Sequence, residues 1–439
     1  MDIVLITVFM FASMMMLLLT GREIFIVIGA VGAIAALFLW GPGAQNMAFS
    51  AGFAFTNWYL LLTIPCFVFM GLTLGNSGVA DKLFEAMYLF SGRIKGGLAM
   101  GTVGICALIA TMTGESFAAT ATAGTIALPS MLKRKYDKLM VTGVVQAGGA
   151  LGFLIPPSIV FILYGIIARV SIGHLWVAGI LPGLLLAGMY IAYIGIRCKL
   201  NPALGPALPP EQRVSLKSKF IALRAGIAPI ILIFMVLGLL FMGITTLVEC
   251  AAIGAVGSLV IAAINRRLTG DLIRKVTRET FDISVMILWI FIAALLFSAV
   301  FDGLGAIKAI EPIITKFGGS GLGVIALMLA SFVAMGAVLD DTAMLLIVAP
   351  LYIPIVAELG YSLVWFGVLY VITCQMAYIT PPFGYNLFMM AAIAPKEISI
   401  GDIYRSIIPF VAIQAGALVL ILRFPEIALW LPRLYTGSG

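Results

Sequence analysis

Leu154-Ile155-Pro156-Pro157-Ser158 and Ile379-Thr380-Pro381-Pro382-Phe383-Gly384 interrupt two long apolar stretches with the same device, about 225 residues apart. A double proline removes two backbone donors and restricts the residue before it, so no helix passes through undisturbed. Carbonyls freed in hydrocarbon are tolerated only where protein buries them or where they line a polar cavity. Two further apolar runs carry polar, glycine-containing centres, Thr113-Gly114-Glu115-Ser116 and Gly336 to Thr342, the second with Asp340 and Asp341. Intramembrane polar groups are costly and so are functional candidates by default. The chemistry they offer is that of oxygen: unwound carbonyls, hydroxyls and carboxylates suit a hard monovalent cation such as sodium. Helix N-termini at the tips and breaks carry partial positive charge and suit a substrate carboxylate. Paired interrupted segments at matching places in two halves point to a transporter's binding site.

Each feature also has a plainer reading. A Pro-Pro pair can be a structural kink, although symmetry between two of them weighs against it. Asp340 or Asp341 can cap the helix that follows. Glu115 can be protonated, ion-binding or placed in a water-filled vestibule. His174, beside Gly173 and Trp176, fits interfacial packing better than proton relay. Cys66, Cys106, Cys198, Cys250 and Cys374 are far apart and read as packing residues. With one histidine and no nucleophile–base or metal-ligand spacing within a span, an intramembrane enzyme and a transition-metal site are both disfavoured. A passive pore is the other rival; it needs neither hairpin.

The elements that must position these groups are membrane helices. The 439 residues are 62% hydrophobic and 10% charged, and the mean hydropathy is +1.16. Soluble proteins have roughly 45–50% apolar and about 25% charged residues, so this chain cannot cover a water-facing surface. The fold class is an all-α polytopic membrane protein. The first apolar run ends at Thr20-Gly21-Arg22 without a cleavage pattern and reads as a mature helix. The net charge of +7 sits mostly in short loops and speaks of orientation, not of nucleic acid.

Runs long enough to span a bilayer cover 2–19, 22–40, 57–75, 138–170, 173–197, 226–243, 245–265, 281–301, 362–395 and 405–423, about ten transmembrane helices. The stretches 96–133 and 320–357 are too long for one span and read as re-entrant helical hairpins. Arg93 and Lys95 precede the first hairpin and Lys133, Arg134, Lys135 and Lys138 follow it. Counting onward from cytoplasmic basic ends puts the basic loops 197–224, 266–278 and 396–405 and Arg22 on that same side. Both chain termini are then periplasmic. Residues 1–198 form one repeat, with an interfacial arm at 79–92, the hairpin 96–133 and the broken helix 138–170. Residues 199–223 form a cytoplasmic connecting loop. Residues 224–425 form the second repeat, with an arm at 303–317, the hairpin 320–357 and the broken helix 362–395; a tail occupies 426–439. Gly114 pairs with Gly336, and Asn76-Ser77-Gly78 with Phe301-Asp302-Gly303, at offsets of about 222 to 225. An odd number of spans per half makes this an inverted repeat.

At these residues the chain resembles the large membrane subunit of tripartite ATP-independent periplasmic (TRAP) transporters over nearly its whole length. The resemblance rests on Gly124 to Met131, the run Gly148 to Ser158, the run Ser171 to Gly183, Gly336 to Ala343 and Thr380 to Phe388. It implies a sodium-coupled importer of organic acids working by an elevator movement. It also implies a separate small membrane subunit of about four helices and a periplasmic substrate-binding protein. The family's ion sites carry over to Gly114, Ser116, Pro156, Ser158, Gly336, Asp340, Thr380 and Gly384; Gly152 and Thr342 adjoin them and join the sodium set. Glu115, Pro157, Asp341, Pro381, Pro382 and Asn386 are the expected substrate contacts. Two positions depart from the family pattern, Thr113-Gly114-Glu115 at the first tip and Asp341 after Asp340, and both add acid. The moving part is expected to comprise both hairpins and both broken spans, with every other span as scaffold.

Overall fold

The computed structural model describes residues 3–56, 58–91, 94–114, 116–207, 216–306, 319–336, 339–382 and 384–436. Helices are the regular structure of these residues, with no strand among them. The first half runs α1 (Ile3–Leu18), α2 (Ile24–Ala35, continued by a π-helical turn to Trp40), α3 (Ala44–Thr56), α4 (Thr63–Asn76), α5 (Val79–Ser91), α6 (Gly97–Thr113), α7 (Ser116–Lys133), α8 (Lys138–Ala150), α9 (Ile159–Ala168) and α10 (Ile172–Leu200). The second runs α11 (Leu216–Phe241), α12 (Leu247–Ile264), α13 (Gly270–Gly303), α14 (Gly321–Met335), α15 (Asp341–Glu358), α16 (Leu363–Tyr378), α17 (Tyr385–Ile393), α18 (Ile400–Arg423) and α19 (Glu426–Thr436).

Local chemistry explains where these helices begin. Asp137 and Ser362, equivalent positions of the two halves, cap the two broken spans: Asp137 Oδ1 accepts from Met140 N–H at 2.9 Å and Ser362 Oγ from Trp365 N–H at 3.4 Å. Thr246 with Glu249, and Ser399 with Asp402, form reciprocal capping boxes at α12 and α18. Lys138 Nζ reaches Asp402 at 2.7 Å and ties the start of α8 to the start of α18.

Packing sorts the helices into two bodies. In one, α2 lies against α13 and α4 against α12, an exchange of partners between the halves, with α1, α3 and α11 at the edges. In the other, α6 and α7 form a helical hairpin on α8, and α14 packs on α16. Here too the halves exchange partners: α9 packs on α15 while α17 packs on α7, and α10 packs on α16 while α18 packs on α8. The leading segments of the broken spans form the centre of this body; every residue from Trp365 to Tyr378 and from Met140 to Ala150 is buried. A helix apolar on all sides belongs in such a place. Large apolar side chains on the outside, among them Phe234, Val256, Phe281 and Val419, give the surface a bilayer accepts.

The structure amends the expected layout in several places. The last span of each half, α10 and α18, packs with the hairpin body and not with the scaffold, so that body is larger than the hairpins and breaks alone. Among the described residues, five continuous helices are long and apolar enough to cross a membrane, Tyr59–Asn76 and α10, α12, α13 and α18; the other expected spans are shorter apolar helices or broken ones. The tail holds the helix α19, whose Tyr435 ring meets His174 edge-on at 5.7 Å. Most of the expected second arm, 307–317, lies outside the described residues; the first arm is the helix α5, bridging α6 and α11. All five cysteines are free thiols, and four are buried.

Candidate functional site

The first tip is shaped by Gly114. It ends α6 in the left-handed region at φ 66°, a conformation that favours glycine, and its N–H donates to Ala110 O at 2.8 Å. Its carbonyl accepts from Ile159 N–H at 3.4 Å, and a Cβ here would lie 3.3 Å from the carbonyl oxygen of Pro157. The tip therefore sits directly on the first break. Gly71 of α4 brings the scaffold to the same place, since a Cβ on it would stand 2.5 Å from Thr113 Cα. The break itself is tightly held. Ser158 Oγ donates to Phe153 O at 2.7 Å and accepts from Phe161 N–H at 3.4 Å, while its carbonyl accepts from Trp176 Nε1 at 3.2 Å. Pro156, Pro157 and Ser158 are buried, and Gly152 packs against Ala110 of α6. The Pro156–Pro157 peptide is cis, as is Pro381–Pro382.

The second tip is built from side chains. Asp340 caps α15, its Oδ1 accepting from Ala343 N–H at 3.0 Å. Asp341 accepts the Tyr378 hydroxyl on Oδ1, and its carbonyl accepts the Tyr370 hydroxyl at 2.6 Å. Gly336 caps α14 at φ −66°, with Ala377 close against it. In the facing break, Thr380 and Pro381 are half-buried and Pro382 is exposed. Thr380 Oγ1 donates back to Met376 O, and Gly384 approaches the carbonyls of Tyr378 and Thr380.

A buried hydrogen-bonded chain joins the second break to the first tip. Asn386, fully buried on α17, donates from Nδ2 to Ser116 Oγ at 2.7 Å and lies 3.5 Å from Gln146 O. Gln146 in turn reaches Ser406 Oγ at 3.3 Å. Ser116, the first residue of α7, is thus tied to the opposite repeat's broken helix and not to its own break.

Between the two bodies lies a cavity of about 700 Å³. Of the residues expected from sequence, Gly114, Asp340, Asp341 and Thr342 line it. Pro157 and Ser158 line a small crevice behind Gly114, with Phe67 and Met70 of the scaffold. Ser116, Gly152, Pro156, Gly336, Thr380, Pro381, Pro382, Gly384 and Asn386 frame the tips and breaks without lining the cavity, and Glu115 lies outside the described residues. Sequence reasoning missed the aromatic wall: Phe153, Tyr378 and Tyr385 from the breaks face Phe25 and Trp289 from α2 and α13. The only available signal was position, since Phe153 and Tyr378 immediately precede the breaks and Tyr385 follows one. Arg22 and Glu23, at the start of α2, and Asp282, within α13, also line the cavity.

This architecture occurs elsewhere. The profile of the tripartite ATP-independent periplasmic transporter DctM component matches residues 11–427. A C4-dicarboxylate TRAP transporter large permease protein from Pseudomonas aeruginosa is 31% identical over 92% of this chain and 93% of its own length. Its namesake from Vibrio cholerae is 30% identical over 93% of this chain and 94% of its own. The solved YdaH transporter of Alcanivorax borkumensis shares the fold at a TM-score of 0.65 and 15% identity, over 97% of this chain and 99% of its own.

Proposed function

This chain belongs to the DctM components of tripartite ATP-independent periplasmic transporters, multi-pass membrane permease subunits and not enzymes, and from that premise we propose that it imports a small organic acid anion across the bacterial inner membrane in symport with sodium. The observation that carries this reading is the meeting of both hairpin tips at one cavity between two helix bodies. Gly114 brings one tip to the cavity, and Asp340 to Thr342 bring the other.

In this reading the two repeats are inverted and the hairpins re-entrant. Sodium is held by carbonyls and hydroxyls at the first junction, among Gly114, Ser116, Gly152, Pro156 and Ser158. A second site lies among Gly336, Asp340, Thr342, Thr380 and Gly384. The Thr380 and Ser158 hydroxyls donate to backbone carbonyls, and this reading assigns the ion their own carbonyl oxygens, of which that of Ser158 also accepts from Trp176 Nε1. The substrate occupies the cavity against Asp341 and the break residues, with its carboxylate toward the N-terminal end of α7. The body of hairpins, broken spans, α10 and α18 moves as a unit against α1–α4 and α11–α13. Arg22 lies on the cavity wall, and the charge rule places it in the cytoplasm, so this conformation opens inward.

Energetics favour coupling. A membrane potential of 100 mV opposes inward movement of one negative charge by about 2.3 kcal/mol. One sodium cancels that term, and a second lets the potential drive uptake of a monovalent acid. A separate small four-helix subunit braces the scaffold, whose α1 and α2 expose Phe9 and Phe38, and a periplasmic protein delivers the substrate. The names of the relatives make a C4-dicarboxylate the first cargo to test.

The test is uptake into proteoliposomes holding this chain, its small subunit and the binding protein. Uptake is expected to require an inward sodium gradient, and Asp340→Asn and Ser116→Ala to weaken sodium activation more than folding. Equal accumulation without a sodium gradient removes the coupling; flux that merely equilibrates a solute makes the chain a passive channel.

A further inference from the structure

The cavity's wall from the second half holds two carboxylates that ion coupling alone does not use fully. Asp340 and Asp341 are 9% and 8% exposed, and both line the cavity. Asp340 accepts from Ala343 N–H in the helix cap, and Asp341 accepts from the Tyr378 hydroxyl. Neither carboxylate takes part in a salt bridge among the described residues, where ion pairs join Lys138 to Asp402, Lys275 to Glu279 and Arg433 to Glu426. Buried carboxylates are stabilised by an opposing charge, and the cavity's one basic side chain among those residues, Arg22, stands beside Glu23 at the start of α2.

Next to the carboxylates stands an aromatic surface. The Tyr378 and Tyr385 rings are nearly parallel at 5.1 Å, and Phe153 meets Tyr378 edge-on at 4.7 Å. All three rings line the same cavity, and the Tyr378 hydroxyl bonds Asp341. Aromatic faces joined to carboxylates are the recognition chemistry of an organic cation, which gains from the ring quadrupole and from the charge together. A dicarboxylate brings only further negative charge to this wall.

We propose that the cargo of this cavity is a zwitterion, its positively charged nitrogen seated between the Asp341 carboxylate and the Phe153–Tyr378–Tyr385 surface, with Asp340 left to the ion. Its carboxylate end keeps the place given to the substrate acid above, so the inference rests on that reading of the site and replaces a net anion with a net-neutral acid. The pocket volume and the carboxylates together favour a compact molecule whose cationic group is alkylated or flanked by carbon, because such a group buries more readily than a small hydrated ion.

The purified full-length chain in lipid nanodiscs is heated at constant sodium with glycine betaine, γ-aminobutyrate or succinate at equal concentration. The zwitterions are expected to raise the melting temperature and succinate to leave it unchanged. Asp341→Asn is expected to weaken the zwitterion's apparent affinity by about tenfold or more, and Tyr385→Leu serves if that variant fails to fold. A separate sodium titration reports on the ion reading independently of the cargo. Stabilisation by succinate alone overturns the proposal. So does stabilisation by sodium to which neither zwitterion adds, which assigns the carboxylates to the ion and leaves sodium coupling intact.

Discussion

In the first half Pro156, Pro157 and Ser158 are buried, and the tip joins the break through backbone, with Gly114 O accepting from Ile159 N–H. In the second half Thr380 and Pro381 are half-buried, Pro382 is exposed, and the tip joins the broken span through side chains, with Asp341 accepting from Tyr378. The same Pro-Pro device therefore serves two purposes. A junction made of carbonyls and amides changes little with side-chain identity and suits a fixed oxygen cage. A junction made of carboxylates and phenols presents charge and aromatic faces to the cavity, where substitution alters what binds. Backbone contact and side-chain chemistry are thus divided between the two junctions.

The largest effect is expected where the first junction depends on one residue. Gly114→Val places a β-branched side chain at φ 66°, which costs about 1–3 kcal/mol, and its Cβ meets Pro157 O. Uptake should fall more than in any variant below, because the strained tip no longer seats on the break. Wild-type uptake in this variant would show that the first junction does not rely on close backbone contact. Asn386→Leu comes next, because Asn386 links the second break to the first tip. Loss of a buried hydrogen bond of this kind costs about 1–3 kcal/mol, read as a lower melting temperature. A double-mutant cycle with Ser116→Ala should give a coupling of about 0.5–3 kcal/mol, and strict additivity would mean that the halves are not joined there. The smallest effect belongs to the second break: Thr380→Val removes a hydroxyl that bonds Met376 O within its own helix end. Stability should change by no more than about 0.5 kcal/mol, with sodium activation kept. Loss of sodium activation in Thr380→Val would make the hydroxyl an ion ligand and the two junctions more alike than their packing implies.

The positions of the hairpin helices and of both breaks were legible because their signals act within a turn or two of chain. Proline withdraws a donor at its own position, and Gly114 takes its left-handed turn locally. Capping Ser, Thr and Asp mark starts such as Asp137 and Ser362 in the same way. Asp340 shows the limit of such signals: the cap and the cavity wall are both real roles of one side chain, and local sequence could not choose between them.

By itself, the sequence determined that this chain lives in a membrane and marked where glycine and proline interrupt its apolar runs. Apolar run length, proline and charged loops carry that information without reference to distant residues. Only the tertiary structure decided that Ser116 pairs with Asn386, that α10 and α18 pack with the hairpin helices, and that Tyr378 and Tyr385 stand beside Asp341. Those contacts join residues far apart in the chain; the apolar and aromatic side chains that form them read in sequence as ordinary core, and only packing turns some of them toward a cavity.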